Sequence, residues 1–223
     1  MRAVRGAFRD ECAALEAVLR GLAEADLDRP TGCPPWTVRD LVAHVRTGAG
    51  RLVDMLAAPA PPAAEVDAAA YFGAAKFTPE VDRARVDSAR REAAAPAGVP
   101  EVAAGFARAW RATDDAIGAA PPGRVVRTRH GDPMTLAEFL RTRVVEVAVH
   151  GLDLADALDR RPWLTPAAGR VVADLLTGGR PVPAGLDWDD LTLIRKATGR
   201  APLTPDERAV SGAAGLRRLS FSG

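Results

Sequence analysis

The chain has 223 residues, 48% hydrophobic and 26% charged, with a formal net charge of +1. At roughly 150 residues per domain, that is one ordinary domain plus an extra segment, long enough to bury a core without disulfide or metal staples. The balanced charge leaves no electrostatic footprint for nucleic acid, and no apolar run approaches the length of a membrane span.

Val4, Phe8, Cys12, Leu15, Val18, Leu19 and Leu22 recur every three or four residues, which predicts an amphipathic helix over 2–25. Charges run through this segment, unlike the start of a signal peptide. Pro30, Gly32, Pro34 and Pro35 break it. Thr37 followed by Asp40 approximates a capping box, opening a helix to about Leu56 that buries Val38, Leu41, Val42, Val45, Leu52 and Val53. Residues 63–77 read as an Ala-rich loop holding at most a helical turn. Helices are expected over 79–95 and 99–119, divided by Pro96-Ala97-Gly98.

Pro121-Pro122-Gly123 stops the second of these, and Val125 to Thr128 predict a brief strand. Thr135 with Glu138 reads as a full capping box ahead of a strongly periodic helix to about Leu158. Thr165-Pro166 then starts a helix to about Leu176, and Asp189 to Thr198 another, with Gly199 just past its end. Thr204-Pro205 starts a further turn, and Leu219-Ser220-Phe221 suggests a terminal strand. The expected architecture is mainly α: an up-down four-helix bundle over residues 1–160 and a small C-terminal α(+β) region over 161–223.

The residue inventory limits the chemistry. The chain contains no Asn and no Gln, four Ser, two Lys against 28 Arg, and three His. Without Asn, neither a Cys-His-Asn protease nor a kinase catalytic loop can be built. GxSxG, GxxxxGK and GxGxxG are all absent from the sequence. Cys12 and Cys33 form no CxxC pair, which fits a reducing compartment and a cytoplasmic location.

One constellation stands out. Glu146 and His150 are four apart on the predicted 135–158 helix, on the face shared with Phe139, Arg143, Asp153 and Leu154. His44 borders the apolar stripe of the helix that Thr37 opens. Two facing helices would therefore offer His, Glu and His to one point, the ligand pattern of a catalytic zinc site with an open position. On spacing alone, an ordinary helix-surface pair plus a core histidine is the stronger reading. Asp153, one turn past His150, could orient its imidazole. Arg143 could pair with Glu146 or hold a substrate carboxylate. His130 reads as a loop residue, Cys33 as a small buried side chain and Trp36 as a packing anchor.

The run Cys33-Pro34-Pro35-Trp36-Thr37-Val38-Arg39-Asp40-Leu41-Val42-Ala43-His44 resembles a motif of the mycothiol-dependent maleylpyruvate isomerase family, within the DinB-like superfamily. So does Thr142-Arg143-Val144-Val145-Glu146-Val147-Ala148-Val149-His150-Gly151-Leu152-Asp153-Leu154, about a hundred residues later. The resemblance implies a DinB-like bundle in which His44, Glu146 and His150 bind a divalent metal, Zn2+ by expectation. It also implies mycothiol as a thiol cosubstrate and a small electrophile as substrate. The run Asp190 to Arg200 resembles the family's C-terminal Gly-Arg segment, and Arg200 matches an arginine that assists the substrate there. The tail is shorter than the family's full C-terminal domain.

A free thiol has a pKa near ~8.5, and metal coordination deprotonates it, so such a site would supply a thiolate at neutral pH. Addition to an activated double bond followed by elimination is isomerisation; retention on the electrophile is S-transfer. Two other readings fit the same ligands: a non-catalytic metal- or ligand-binding bundle, and a thiol-independent metal hydrolase.

Overall fold

The computed structural model describes residues 1–73, 79–93 and 97–219. Helices α1 (Arg2–Arg20), α2 (Val38–Gly50), α6 (Val99–Ala119) and α7 (Leu136–Ala157) form the bundle. Each packs on two others: α1 on α6 and α7, and α2 on α6 and α7. Between them come the short α3 (Leu52–Ala57) and α4 (Ala68–Tyr71), and the longer α5 (Pro79–Ala93), which lies along α2. Helices α8 (Pro166–Thr177), α9 (Asp190–Ala197) and α10 (Pro205–Ala213) follow. α8 packs on both α1 and α7, and α9 packs on α8.

The helix starts are set by local chemistry. Thr37 and Asp40 form a reciprocal capping box: the Thr37 hydroxyl accepts from the Asp40 amide at 3.4 Å, and the Asp40 carboxylate accepts from the Thr37 amide at 3.0 Å. Thr165, Asp189 and Thr204 cap α8, α9 and α10 through their side chains. Gly199 has a φ of 79°, a left-handed conformation that suits glycine just past the end of α9. The Pro34–Pro35 peptide ahead of α2 is cis.

Helix α7 is buried on nearly every side, as expected for the central element of a core. Its Phe139 and Leu140 are fully buried, together with Phe8 and Leu15 of α1, Leu41 of α2 and Phe106 of α6. Val172, Leu176, Leu193 and Ile194 of α8 and α9 join the same apolar cluster. Each such side chain contributes about 1.5–3 kcal/mol relative to exposure, so the C-terminal helices stabilise the bundle they cover.

The structure departs from the sequence expectations at five places. The helix opened by Thr37 divides at Arg51 into α2 and α3, and Val53 ends 37% exposed. Gly48 and Gly50 weaken the helix just before the division. Helix α1 stops at Arg20, and Glu24–Asp28 forms a separate 3-10 turn. Residues Pro133–Thr135 form a strand, β2, antiparallel to β1 (Val125–Arg127), with Val125 opposite Thr135.

The fourth departure is Glu138, which does not close a capping box. Thr135 accepts from its amide at 3.2 Å, but the Glu138 carboxylate accepts from the Ala68 amide at 3.0 Å and ties α4 to α7. Last, Leu219 is not in a strand; its amide donates to the Ala197 carbonyl at 3.0 Å. Ser220 and Phe221, like residues 74–77 of the Ala-rich loop, lie outside the described residues.

Candidate metal centre

Helices α2 and α7 run side by side, and their apolar stripes meet with His44 facing Glu146 and His150. His44 Nε2 is 3.4 Å from Glu146 Oε2, and His150 Nε2 is 3.8 Å from the same oxygen. One donor atom from each of the three residues lies within 4.8 Å of the others. The imidazole rings stand nearly perpendicular, 88° apart, with centroids separated by 5.2 Å. The two helices thus bring together the three residues that the sequence singled out.

Protonation suits these groups to a cation. Burial pulls the His44 imidazole down to about 4, so it is neutral and carries a lone pair at pH 7. Burial alone would raise the Glu146 carboxyl; the Arg143 charge, then His44 and His150, hold it well below the usual carboxylate range. Arg143 Nη2 is 3.5 Å from Glu146 Oε1, and its Nε donates to Thr142 Oγ1 at 3.1 Å. Gly48 makes room for that guanidinium, since a Cβ at position 48 would come within 3.2 Å of Arg143 Nη1.

Asp153 sits behind His150. Its Oδ2 accepts from His150 Nδ1 at 2.9 Å, which holds a proton on Nδ1 and turns Nε2 toward Glu146. The same carboxylate accepts two bonds from Arg200, Nε to Oδ1 at 2.9 Å and Nη2 to Oδ2 at 2.7 Å. Arg200 Nη1 also donates to the Thr198 carbonyl at 2.7 Å. Burial opposes the Asp153 charge, but the bonds from His150 and Arg200 outweigh it and hold the carboxyl well below its ordinary value. Arg200 therefore reaches the centre through Asp153.

Cys33, ahead of α2, donates its thiol to Asp153 Oδ2 at 3.3 Å. Burial, and then the Asp153 charge, push this thiol up to about 12. Cys33, His150 and Asp153 are also mutually close, but a guanidinium 2.7 Å from Asp153 Oδ2 opposes a second cation there. They form a hydrogen-bond cluster.

Trp36 covers the histidines. Its ring lies 4.8 Å from His44 and 6.5 Å from His150, centroid to centroid, and its buried Nε1 has no acceptor among the described residues.

The three donors fit a divalent metal. In a tetrahedral sphere with ligand bonds of about 2.0–2.1 Å, donor atoms stand about 3.4 Å apart, close to the two separations from Glu146 Oε2. Two imidazole nitrogens and one carboxylate suit zinc and leave a coordination position open.

Beside the His44–Glu146 edge opens a pocket of about 440 Å³. Its walls include Arg51, Tyr71, Arg85 and Arg129, none of which stood out in the sequence. Arg51 carried a legible signal: it follows His44 by seven residues, two helical turns along the same face. His130 lies in the turn at residues 128–132, with its ring 6.2 Å from that of Tyr71.

The family model of the mycothiol maleylpyruvate isomerase N-terminal domain matches residues 8–155. Crystal structures of the mycothiol-dependent maleylpyruvate isomerase, and of a histidine-to-alanine variant of it, superpose on the chain with a TM-score of 0.56 at 16% identity. The superposition covers 78% of this chain and 68% of theirs, a likeness in fold. No curated protein gives a significant match. With the match extending from α1 to α7 and over both helices that carry His44, Glu146 and His150, the chain belongs to the mycothiol maleylpyruvate isomerase family of enzymes.

Proposed function

We propose that this protein is a metal-dependent enzyme that uses mycothiol to isomerise, or to transfer sulfur to, a small electrophilic substrate. The observation that carries this reading is the convergence of His44, Glu146 and His150, with Asp153 fixing the tautomer of His150, inside a bundle of this family. A divalent ion held by the three, zinc by the chemistry of the donors, would deprotonate a thiol occupying its open position and so supply a nucleophile at neutral pH.

The chain's own residues prepare that position. His44 is held neutral by burial, and His150 presents Nε2 because Asp153 keeps the proton on Nδ1. Arg143 keeps Glu146 ionised. Trp36 covers one side of the imidazoles against water. Cys33, with its thiol pushed up to about 12, does not supply the sulfur, so the thiol must come as a cosubstrate.

The experiment has two stages. Purified protein is analysed for metal beside His44→Ala and His150→Ala variants; the reading requires a stoichiometric divalent ion in wild type that both variants lose. A panel of activated alkenes and other electrophiles is then followed with and without mycothiol. Product that forms only with the thiol, and disappears in Glu146→Ala, supports the reading. Hydrolysis without added thiol would replace it with a metal hydrolase, and metal without turnover would leave a binding protein.

A further inference from the structure

The pocket beside His44 has an unusual charge balance. Four guanidiniums line it, from Arg51, Arg85, Arg129 and Arg143, against one carboxylate, Glu146, which Arg143 already engages. Arg51 differs from the other arginines around the centre. Arg200 spends its fork on Asp153, and Arg143 lies against Glu146. The half-buried Arg51 guanidinium forms no hydrogen bond or ion pair with any described residue. Burial weighs most against its charge, followed by the like charges of Arg129 and Arg143, with Tyr71 and Glu146 acting the other way. A partly desolvated cation among others carries an electrostatic cost that an entering anion would offset.

Position supports the same conclusion. Arg51 stands where α2 gives way to α3, two turns beyond His44, and lines the same pocket as His44 and Glu146. A ligand held at Arg51 would keep its other end at the His44–Glu146 edge. Guanidinium forks match the two oxygens of a carboxylate.

We propose that Arg51, assisted by Arg129, is the specificity-determining residue of this site, receiving the carboxylate of a small substrate whose reacting end lies against His44 and Glu146. This rests on the reading of the centre as catalytic, and it places recognition of the acidic group at the α2–α3 junction rather than at Arg143, which lies against Glu146. Arg200 then acts as a positioning residue, through Asp153.

The test is calorimetric titration of the metal-loaded protein with malonate, with its neutral isostere malonamide, and with inorganic phosphate. Malonate should bind, and malonamide should bind at least about tenfold more weakly. Losing a hydrogen bond to a charged group corresponds to a roughly tenfold to hundredfold drop in malonate affinity in Arg51→Gln, with malonamide unchanged. Arg51→Lys should fall between, retaining charge without the fork, and the exposed Arg218→Gln serves as control. Metal content and circular dichroism establish that each variant is intact; if Arg51→Gln does not fold, Arg51→Lys and Arg129→Gln carry the comparison.

Equal malonate affinity in wild type and the Arg51 variants overturns the proposal, as does malonamide binding as tightly as malonate. Phosphate binding more tightly than malonate, with the same dependence on Arg51, overturns the carboxylate assignment. Malonate binding through Arg51 without thiol-dependent turnover would sink the catalytic reading and leave the anion site standing. Thiol-dependent turnover of carboxylate-bearing electrophiles with unchanged KM in Arg51→Gln would do the reverse.

Discussion

Arg200 grips Asp153 through two parallel bonds of 2.9 and 2.7 Å, joining the segment after α9 to the carboxylate that orients His150 on α7. The C-terminal region thereby sets the electrostatics of a centre whose three donors all lie in the bundle. A guanidinium on the far side of Asp153 keeps that carboxylate ionised, and an ionised carboxylate can only accept from Nδ1.

The first consequence concerns metal affinity. Asp153→Asn keeps the shape but removes the charge and frees the amide to flip. Loss of such an outer partner typically weakens binding about 10- to 100-fold. Competition against a chromogenic chelator measures it, and an unchanged zinc affinity would show that His150 needs no orienting partner.

The second concerns stability. The Arg200 side chain is 12% exposed and Asp153 is 5% exposed, so removing the guanidinium leaves a buried charge short of two of its hydrogen bonds. Arg200→Ala is expected to cost about 3 kcal/mol, read as a lower urea midpoint with an unchanged m value. A cost near zero would mean that water replaces the guanidinium without penalty.

Two buried carboxyls should pull the pH dependence of stability in opposite directions. Asp153 is depressed in the fold, so its contribution is fully present above its unfolded pKa of about 3.9 and is lost as pH falls toward the lower folded value. Glu11 is raised, chiefly by burial, although its Oε2 accepts from the Thr165 amide and hydroxyl at 2.9 and 2.7 Å. Its contribution is present below an unfolded pKa of about 4.3 and is lost as pH rises through the raised folded value. Glu11→Gln should therefore stabilise the protein at about pH 7 relative to its effect at about pH 3, while Asp153→Asn should cost more at pH 7 than at pH 3. Urea unfolding at the two pH values checks both signs.

Cysteine chemistry offers an independent check. Cys12 is fully buried with its thiol pushed well above the ordinary range by that burial, and Cys33 is 7% exposed with its thiol near 12. Both are expected to resist iodoacetamide at pH 7.5 in the native state and to react only on unfolding, as followed by mass spectrometry. Rapid native alkylation of Cys33 would contradict the geometry around Asp153.

Local signals in the sequence were reliable where the physics is local. The capping box of Thr37 and Asp40, the helix starts at Thr165, Asp189 and Thr204, and the four-residue spacing of Glu146 and His150 all act within a turn or so of helix. Misreadings arose where a distant partner decided. Glu138 had the right spacing for a capping box, yet its carboxylate serves the Ala68 amide 70 residues earlier. The Cys33–Asp153 contact spans 120 residues, and the Arg200–Asp153 pair spans 47. The pocket arginines were hidden for another reason. Arg51 carried one signal, its two-turn step from His44, but among 28 arginines that spacing does not tell a pocket residue from a solvated one.

The Trp36 ring, 4.8 Å from the His44 imidazole and 6.5 Å from that of His150, gives the protein an optical reporter. The His44 imidazole beside it is neutral in the fold, so a divalent charge arriving there would change the field at the excited indole and with it the emission. With Trp110, Trp163 and Trp188 replaced by Phe, the emission of Trp36 alone would register occupancy of the centre in real time. Ligand arrival could then be timed by stopped flow in an unlabelled protein, before any substrate is identified.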